Sequence, residues 1–101
     1  MVKALLNTTE ANINGLALRI QDQADRLFPN RTDSSMFLKL YSELGELIDS
    51  ETEEEFADVM IMLLDYGSRK MFNIGAAINA KMIINDERTW VTSELGVNRH
   101  A

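Results

Sequence analysis

The chain predicts an all-α fold, a four-helix antiparallel bundle, on three observations. Apolar residues recur at three- and four-residue spacing through most of its length, no segment alternates apolar with polar residues, and the single proline, Pro29, falls between two periodic segments. With 101 residues, 46% of them apolar and 26% charged, it reads as one domain, its core at about 9–90 and a loosely ordered tail at 91–101. A chain this short buries only roughly two-thirds of the surface its unfolded form exposes. Self-association into a homodimer or homotetramer is therefore expected to complete the bundle.

The first helix is expected from about Thr9 to Leu27, where Ile13, Leu16, Ala17, Ile20, Ala24 and Leu27 share one face, and Pro29 with Asn30 ends it. The second runs from about Asp33 to Ile48 on the stripe Phe37, Leu40, Tyr41, Leu44, Leu47 and Ile48, with Asp33 or Ser34 as N-cap. Asp49 to Thr52 form a turn. The third, about Glu53 to Met71, contains Val59 to Leu64 as an unbroken apolar run, and a helix apolar nearly all round is normally central. The fourth, about Asn73 to Arg88, has Asn73 as a cap and a face of Ala76, Ala80, Ile83 and Ile84. Met60, Met62 and Met82 read as core filler, and Gly45 as a point where another helix comes close.

Without cysteine there is no disulfide, thiolate zinc site or thiol nucleophile, and the chain suits a reducing cytosol. The apolar stretch Ala4 to Leu6 is too short for a signal-peptide core, and nothing approaches the ~20 apolar residues of a membrane span, so a cytoplasmic location with no membrane partner is expected. The net charge of −6 is unevenly spread: Glu43 to Asp58 carries eight acids in sixteen residues and no base. That surface repels a nucleic-acid backbone, so polymer binding is not expected. A cation site is the livelier reading.

The connection between the second and third helices is only about four residues, which makes them antiparallel neighbours with adjacent ends. Glu43 and Glu46 lie at i and i+3 near the end of one, Glu55 and Asp58 at i and i+3 near the start of the next. Lys39 shares the edge of Glu43 and Glu46, while Met62, Asp65 and Arg69 share the strip of Glu55 and Asp58. Four carboxylates thus converge between helices whose axes are ~8–10 Å apart. Carboxylates held that close either take up protons or bind cations. An oxygen-only donor set favours Mg2+, with Mn2+ as a substitute, over zinc, and magnesium commonly binds substrate phosphates as well. On the fourth helix Lys81, Asn85 and Arg88, at i, i+4 and i+7, form a mainly basic face suited to the far side of a triphosphate.

Ser-Glu-Leu-Gly-Glu-Leu at Ser42 to Leu47, Glu-Phe-Ala-Asp-Val at Glu55 to Val59, and Lys81-Met-Ile-Ile-Asn85-Asp-Glu-Arg88-Thr-Trp90 occur in this order within about half the chain. In these pieces the sequence resembles the MazG-like all-α nucleoside triphosphate pyrophosphohydrolases. The resemblance implies metal ligation by Glu43, Glu46, Glu55 and Asp58, and phosphate contacts from Lys81 and Asn85, with Arg88 nearby. It implies cleavage of nucleoside or deoxynucleoside triphosphates between the α- and β-phosphates, giving monophosphate and pyrophosphate. Glu46, with Glu43, is the expected carboxylate assisting deprotonation of the attacking water. Many members begin the first motif with two consecutive glutamates, where this chain has Ser42, so the number of ions and the identity of the base stay open. Asp65 is a candidate to compensate from behind the ligands.

Each assignment has a plainer counterpart. Thr52 with Glu55, or Ser50 with Glu53, fits a capping box. Glu43 and Glu46 also fit a solvated flank, and Lys39 is either such a residue or a further phosphate ligand. Lys81 and Arg88 also suit the C-terminal end of a helix dipole, and Trp90 either stacks on a base or covers the bundle's end. Asp58 is the hardest to read so, because it precedes the most apolar run of the chain and needs a partner. The only histidine, His100, lies in the tail, which removes Glu-x-x-His di-iron pairs and a serine–histidine triad, and no P-loop or Gly-x-Gly-x-x-Gly occurs. The rival readings are a relative acting on dUTP, dUDP or phosphoribosyl-ATP, and a non-catalytic helical interaction module.

Overall fold

The computed structural model describes the backbone of residues 2–88, 90–92 and 98–100 and the side chains of residues 10–88. Among these the chain forms four helices: α1 (Val2–Leu27), α2 (Asp33–Ser50), α3 (Glu53–Arg69) and α4 (Ile74–Glu87). The expected all-α architecture is present, and no helix is long and apolar enough to cross a membrane. α1 extends past the expected start at Thr9 to Val2. Two short segments follow, β1 (Trp90–Thr92) and β2 (Asn98–His100), antiparallel with Trp90 opposite His100. The expected loosely ordered tail therefore includes a strand pair. The readings for the Trp90 and His100 side chains lie outside the described residues.

The helix ends show which local signals prevailed. The N-cap of α2 is Thr32, not Asp33 or Ser34: the Ser35 N–H donates to Thr32 Oγ1 at 3.1 Å and the Thr32 N–H to Ser35 Oγ at 3.0 Å. That reciprocal pairing satisfies two orphan donors and leaves Asp33 free to ion-pair. α2 continues to Ser50, so Ser50 caps nothing, and the turn shrinks to Glu51 and Thr52. Glu51 takes the left-handed conformation at φ 50°, its N–H reaching Leu47 O, and Thr52 caps α3. α3 stops at Arg69 rather than Met71, which itself has φ 60°.

α3 is central, packed against both α1 and α2. Val59, Met62 and Leu64 are buried there with Ala17 of α1, and Phe37 of α2 meets Tyr66 of α3 at a ring separation of 5.0 Å. Met60 is half-buried and Met82 exposed, so the core role expected of Met82 is not met within the chain. α4 follows α3 along the other half of α1. A Cβ at Gly75 would stand 2.6 Å from Glu10 Cα, so glycine permits that approach. The close contact expected at Gly45 is absent, with nothing within 4 Å of a Cβ there. Asn14 and Asn79 complete the seam by bonding Asn73 and Glu10. No Cα of α2 comes within 8 Å of one in α4. The arrangement is open: its radius of gyration is 16.2 Å, against about 13 Å for a compact domain of this length.

One ion-pair network fastens the α1–α2 connection to the core. Asp65 is 1% exposed. The Arg31 guanidinium grips it twice, Nε to Oδ2 at 2.8 Å and Nη2 to Oδ1 at 2.9 Å, and also donates to Asp25 Oδ1 and Phe28 O. Asp65 and Asp25 hold Arg31 protonated more firmly than in water. Arg69 adds Nε to Asp65 Oδ2 at 3.3 Å and Nη1 to Asp33 Oδ1 at 2.9 Å, with Lys70 on the other oxygen of Asp33.

Removing one partner of the buried Arg31–Asp65 pair leaves the other charge stranded. Asp65→Asn and Arg31→Ala should each cost roughly 3–5 kcal/mol in urea unfolding. The double variant should cost less than the sum of the two. Lys70 first and Arg69 second hold the Asp33 carboxyl below its ordinary 3.8. A depressed carboxylate stabilises the fold at neutral pH and loses that effect as pH falls through the depressed range. Asp33→Asn should thus lower Tm at pH 7, with the deficit vanishing in strong acid.

Candidate metal centre

The two-residue connection sets the last turns of α2 beside the first turns of α3, and the site forms there. One carboxylate oxygen each from Glu43, Glu55 and Asp58 lies within 4.8 Å of the others. The Glu55 N–H donates to Thr52 Oγ1 at 3.2 Å, so Glu55 takes part in the cap through its backbone while its carboxylate faces the cluster. Glu43 Oε2 and Glu55 Oε2 are both buried without a hydrogen-bond partner among the described residues. A buried carboxylate oxygen left unpaired is costly. The nearest cation is Lys39, whose Nζ is 3.5 Å from Glu43 Oε1.

Burial pushes the Glu55 carboxyl above its ordinary range, and the charges of Glu46, Asp58, Glu43 and Glu54 push it the same way. Glu46 is exposed and stands outside the group of three, close enough for its charge to be felt at Glu55. Three clustered carboxylates with two orphan oxygens suit a divalent cation with oxygen ligands, Mg2+ or Mn2+ in size and hardness.

The cluster opens into a cleft of about 430 Å³ between α1, α2 and α3, with Glu43 and Asp58 among its lining. Ile20, Ala24 and Phe28 of α1 form one wall, Met36 of α2 and Ile61 and Met62 of α3 the others. An apolar cleft with charge at one edge is the usual form of a site for a small ligand with an apolar body. Lys39 lines it too, which places this residue beside the carboxylates. Sequence reasoning did not reach the cleft, nor its polar residues Gln23 and Arg31, because α1 carries no motif and Arg31 sits in an aperiodic connection. Asp65, the candidate to compensate from behind the ligands, lines the same cleft two turns from Asp58 and is held there by Arg31 and Arg69.

The basic face of α4 is not part of this cluster within one chain. Lys81 is exposed, and Asn85 and Arg88 are half-buried. They extend away on a helix whose Cα atoms stay more than 8 Å from those of α2, and none of them lines the cleft. The Gly75–Glu10 contact, which seats α4 along α1, keeps this face away from the carboxylates of the same chain.

No family model matches the chain. It is 42% identical over 83 residues to a dATP/dGTP diphosphohydrolase of Salmonella phage PMBT28, a match taking in 80% of this chain but 29% of that relative's length. A dATP/dGTP diphosphohydrolase of Cyanophage S-2L is 38% identical over 77 residues, 73% of each protein. Among solved structures, a Cyanophage S-2L MazG-like pyrophosphohydrolase bound to dGDP and three catalytic Mn2+ ions per active site superposes with a TM-score of 0.79 at 35% identity, covering 88% of this chain and 96% of that one.

A cation binding the cluster only in the folded state must raise Tm. At a hundred times its dissociation constant the gain is about 2.7 kcal/mol, roughly 4–8 °C per kcal/mol for a domain of this size. The elevated Glu55 carboxyl works the other way without metal. Its proton is held more tightly in the folded state, so ionisation costs stability as pH rises through the carboxylate range. Glu55→Gln should therefore raise the Tm of the metal-free protein at pH 7, lose that advantage in acid, and shrink the shift produced by Mn2+.

Proposed function

Because the chain belongs to the family of MazG-like pyrophosphohydrolases, we propose that it hydrolyses deoxynucleoside triphosphates, dATP and dGTP foremost, to monophosphate and pyrophosphate with Mg2+ or Mn2+. The observation that carries this reading is the convergence of Glu43, Glu55 and Asp58, with two orphan oxygens, on the edge of an apolar cleft. The names of the relatives, dATP/dGTP diphosphohydrolase, support the substrate class.

Glu43, Glu55 and Asp58 hold the cations, and Glu46 joins them from the exposed side. Divalent cations there neutralise phosphate charge and acidify water. The base and sugar lie in the cleft, which excludes water from one side of the reacting phosphate. Glu46, assisted by Glu43, accepts the proton of the water that attacks the α-phosphorus, and the bridging oxygen leaves with pyrophosphate. Lys39 balances charge at Glu43 and reaches the phosphate edge of the cleft.

Lys81, Asn85 and Arg88 hold the outer phosphates from a second copy of the chain. Two features support a homodimer or homotetramer. Within one chain α4 does not reach the carboxylates, and large apolar side chains stay uncovered, including Leu38, Tyr41 and Ile48 on α2 and Ile78, Met82 and Ile83 on α4. Such surface on a small domain marks an interface.

Pyrophosphate release from the four deoxynucleoside triphosphates, dUTP and phosphoribosyl-ATP, with metal and with chelator, tests the reaction. Metal-dependent turnover of dATP and dGTP is expected. Folded Asp58→Asn should lower kcat by at least about a hundredfold, and equal rates in wild type and variant would refute the assignment. Light scattering at micromolar concentration should give a dimer or tetramer. Mixing inactive Asp58→Asn with inactive Lys81→Ala should restore about a quarter of wild-type sites if each site spans two copies, and nothing if it does not.

A further inference from the structure

Most polar side chains lining the cleft are committed to the protein itself. Arg31 and Asp65 bind each other. Ser35 Oγ accepts from the Thr32 N–H and donates to Thr32 O, closing the cap of α2. Lys39 pairs with Glu43, which together with Asp58 belongs to the carboxylate cluster. Gln23 is different: it lines the cleft from α1 and makes no hydrogen bond among the described residues. It is exposed, so its carboxamide is available to a ligand in the cleft.

Its position along the cleft is fixed by the helix pairing. Ser68 Oγ donates to Gln21 Oε1 at 2.6 Å, which sets Gln21 of α1 level with Ser68 of α3. The two helices run antiparallel, so Gln23 stands about two residues nearer Asp58, on the order of 12 Å from its level at 1.5 Å rise per residue. That is about the span of a purine nucleotide from its phosphate to the far edge of its base. A phosphate at the carboxylates and a base between the apolar walls would thus bring the base's outer edge to Gln23.

Resting on the proposed nucleotide hydrolysis, we propose that Gln23 is the residue that reads the Watson–Crick edge of the purine. Reading an extruded base through that edge, between apolar walls, is a recurrent solution. A carboxamide has one acceptor and two donors on neighbouring atoms. Against adenine, Nε2 donates to N1 and Oε1 accepts from the 6-amino group. Against guanine, the amide turned over by half a rotation donates from Nε2 to O6 and accepts at Oε1 from N1–H. One residue with no fixed internal partner therefore serves both purines, whereas a carboxylate there serves only one. It accepts from N1–H and the 2-amino group of guanine but opposes the lone pair of adenine N1. A pyrimidine, one ring shorter, leaves the amide out of reach.

The test compares wild type, Gln23→Leu and Gln23→Glu on dATP, dGTP, dCTP and dTTP with Mn2+, together with calorimetric titration of dAMP and dGMP. Gln23→Leu should raise KM for both purine nucleotides about tenfold, with kcat within about twofold. Gln23→Glu should move the dGTP-to-dATP ratio of kcat/KM at least about tenfold toward guanine. Because Gln23 is exposed, both variants should keep the wild-type Tm. If wild type hydrolyses purine nucleotides and both variants match it in KM and in ratio, the role of Gln23 is overturned while the function stands. If wild type neither hydrolyses the triphosphates nor binds dAMP or dGMP, this inference falls together with the function on which it rests.

Discussion

The constraint on which the rest of the structure depends is the two-residue connection between α2 and α3. Glu51 in the left-handed conformation ends one helix and Thr52 caps the next, so there is no slack between them. Glu43, about two turns before the end of α2, and Glu55 and Asp58, in the first two turns of α3, then have no room to separate, and repulsion is built into the fold. Burial adds to it, since two of their oxygens are buried without a donor among the described residues. A protein keeps such an arrangement where something else supplies the opposite charge. The metal is thus as much a structural expectation as a catalytic one.

Rigidity behind the cluster comes from the second feature, the Arg31–Asp65 pair. It ties the α1–α2 connection to the middle of α3, and this fixes the spacing of the three helices that wall the cleft. Carboxylates that repel one another need walls that do not yield. A bidentate guanidinium–carboxylate pair is well suited to that task, because its planar geometry resists sliding as well as separation.

The helices were largely legible in the sequence because helical periodicity is local. So was the meeting of Glu43, Glu55 and Asp58, which needs only an i, i+3 spacing on each side of a short turn. Four things were not legible, each for a physical reason. Thr32 prevailed over Asp33 as cap because Asp33 is drawn to Arg69 and Lys70, far away in sequence. The position of α4 depends on a glycine contact between residues 10 and 75, and no periodicity encodes how two helices approach. Gln23 has no motif around it, and its place in the cleft depends on three helices coming together. Glu46 shares the sequence motif of Glu43 yet stands at the exposed edge, since one helical turn displaces it past the reach of α3's strip.

The proposed function depends on a divalent cation held by Glu43, Glu55 and Asp58. Electron paramagnetic resonance of Mn2+ titrated into wild type and into folded Asp58→Asn measures this most directly. The predicted result is stoichiometric quenching of the free-ion signal by wild type, enhanced by dGMP, with binding at least about tenfold weaker in the variant. Equal Mn2+ uptake by the two proteins, or none by either, would contradict it.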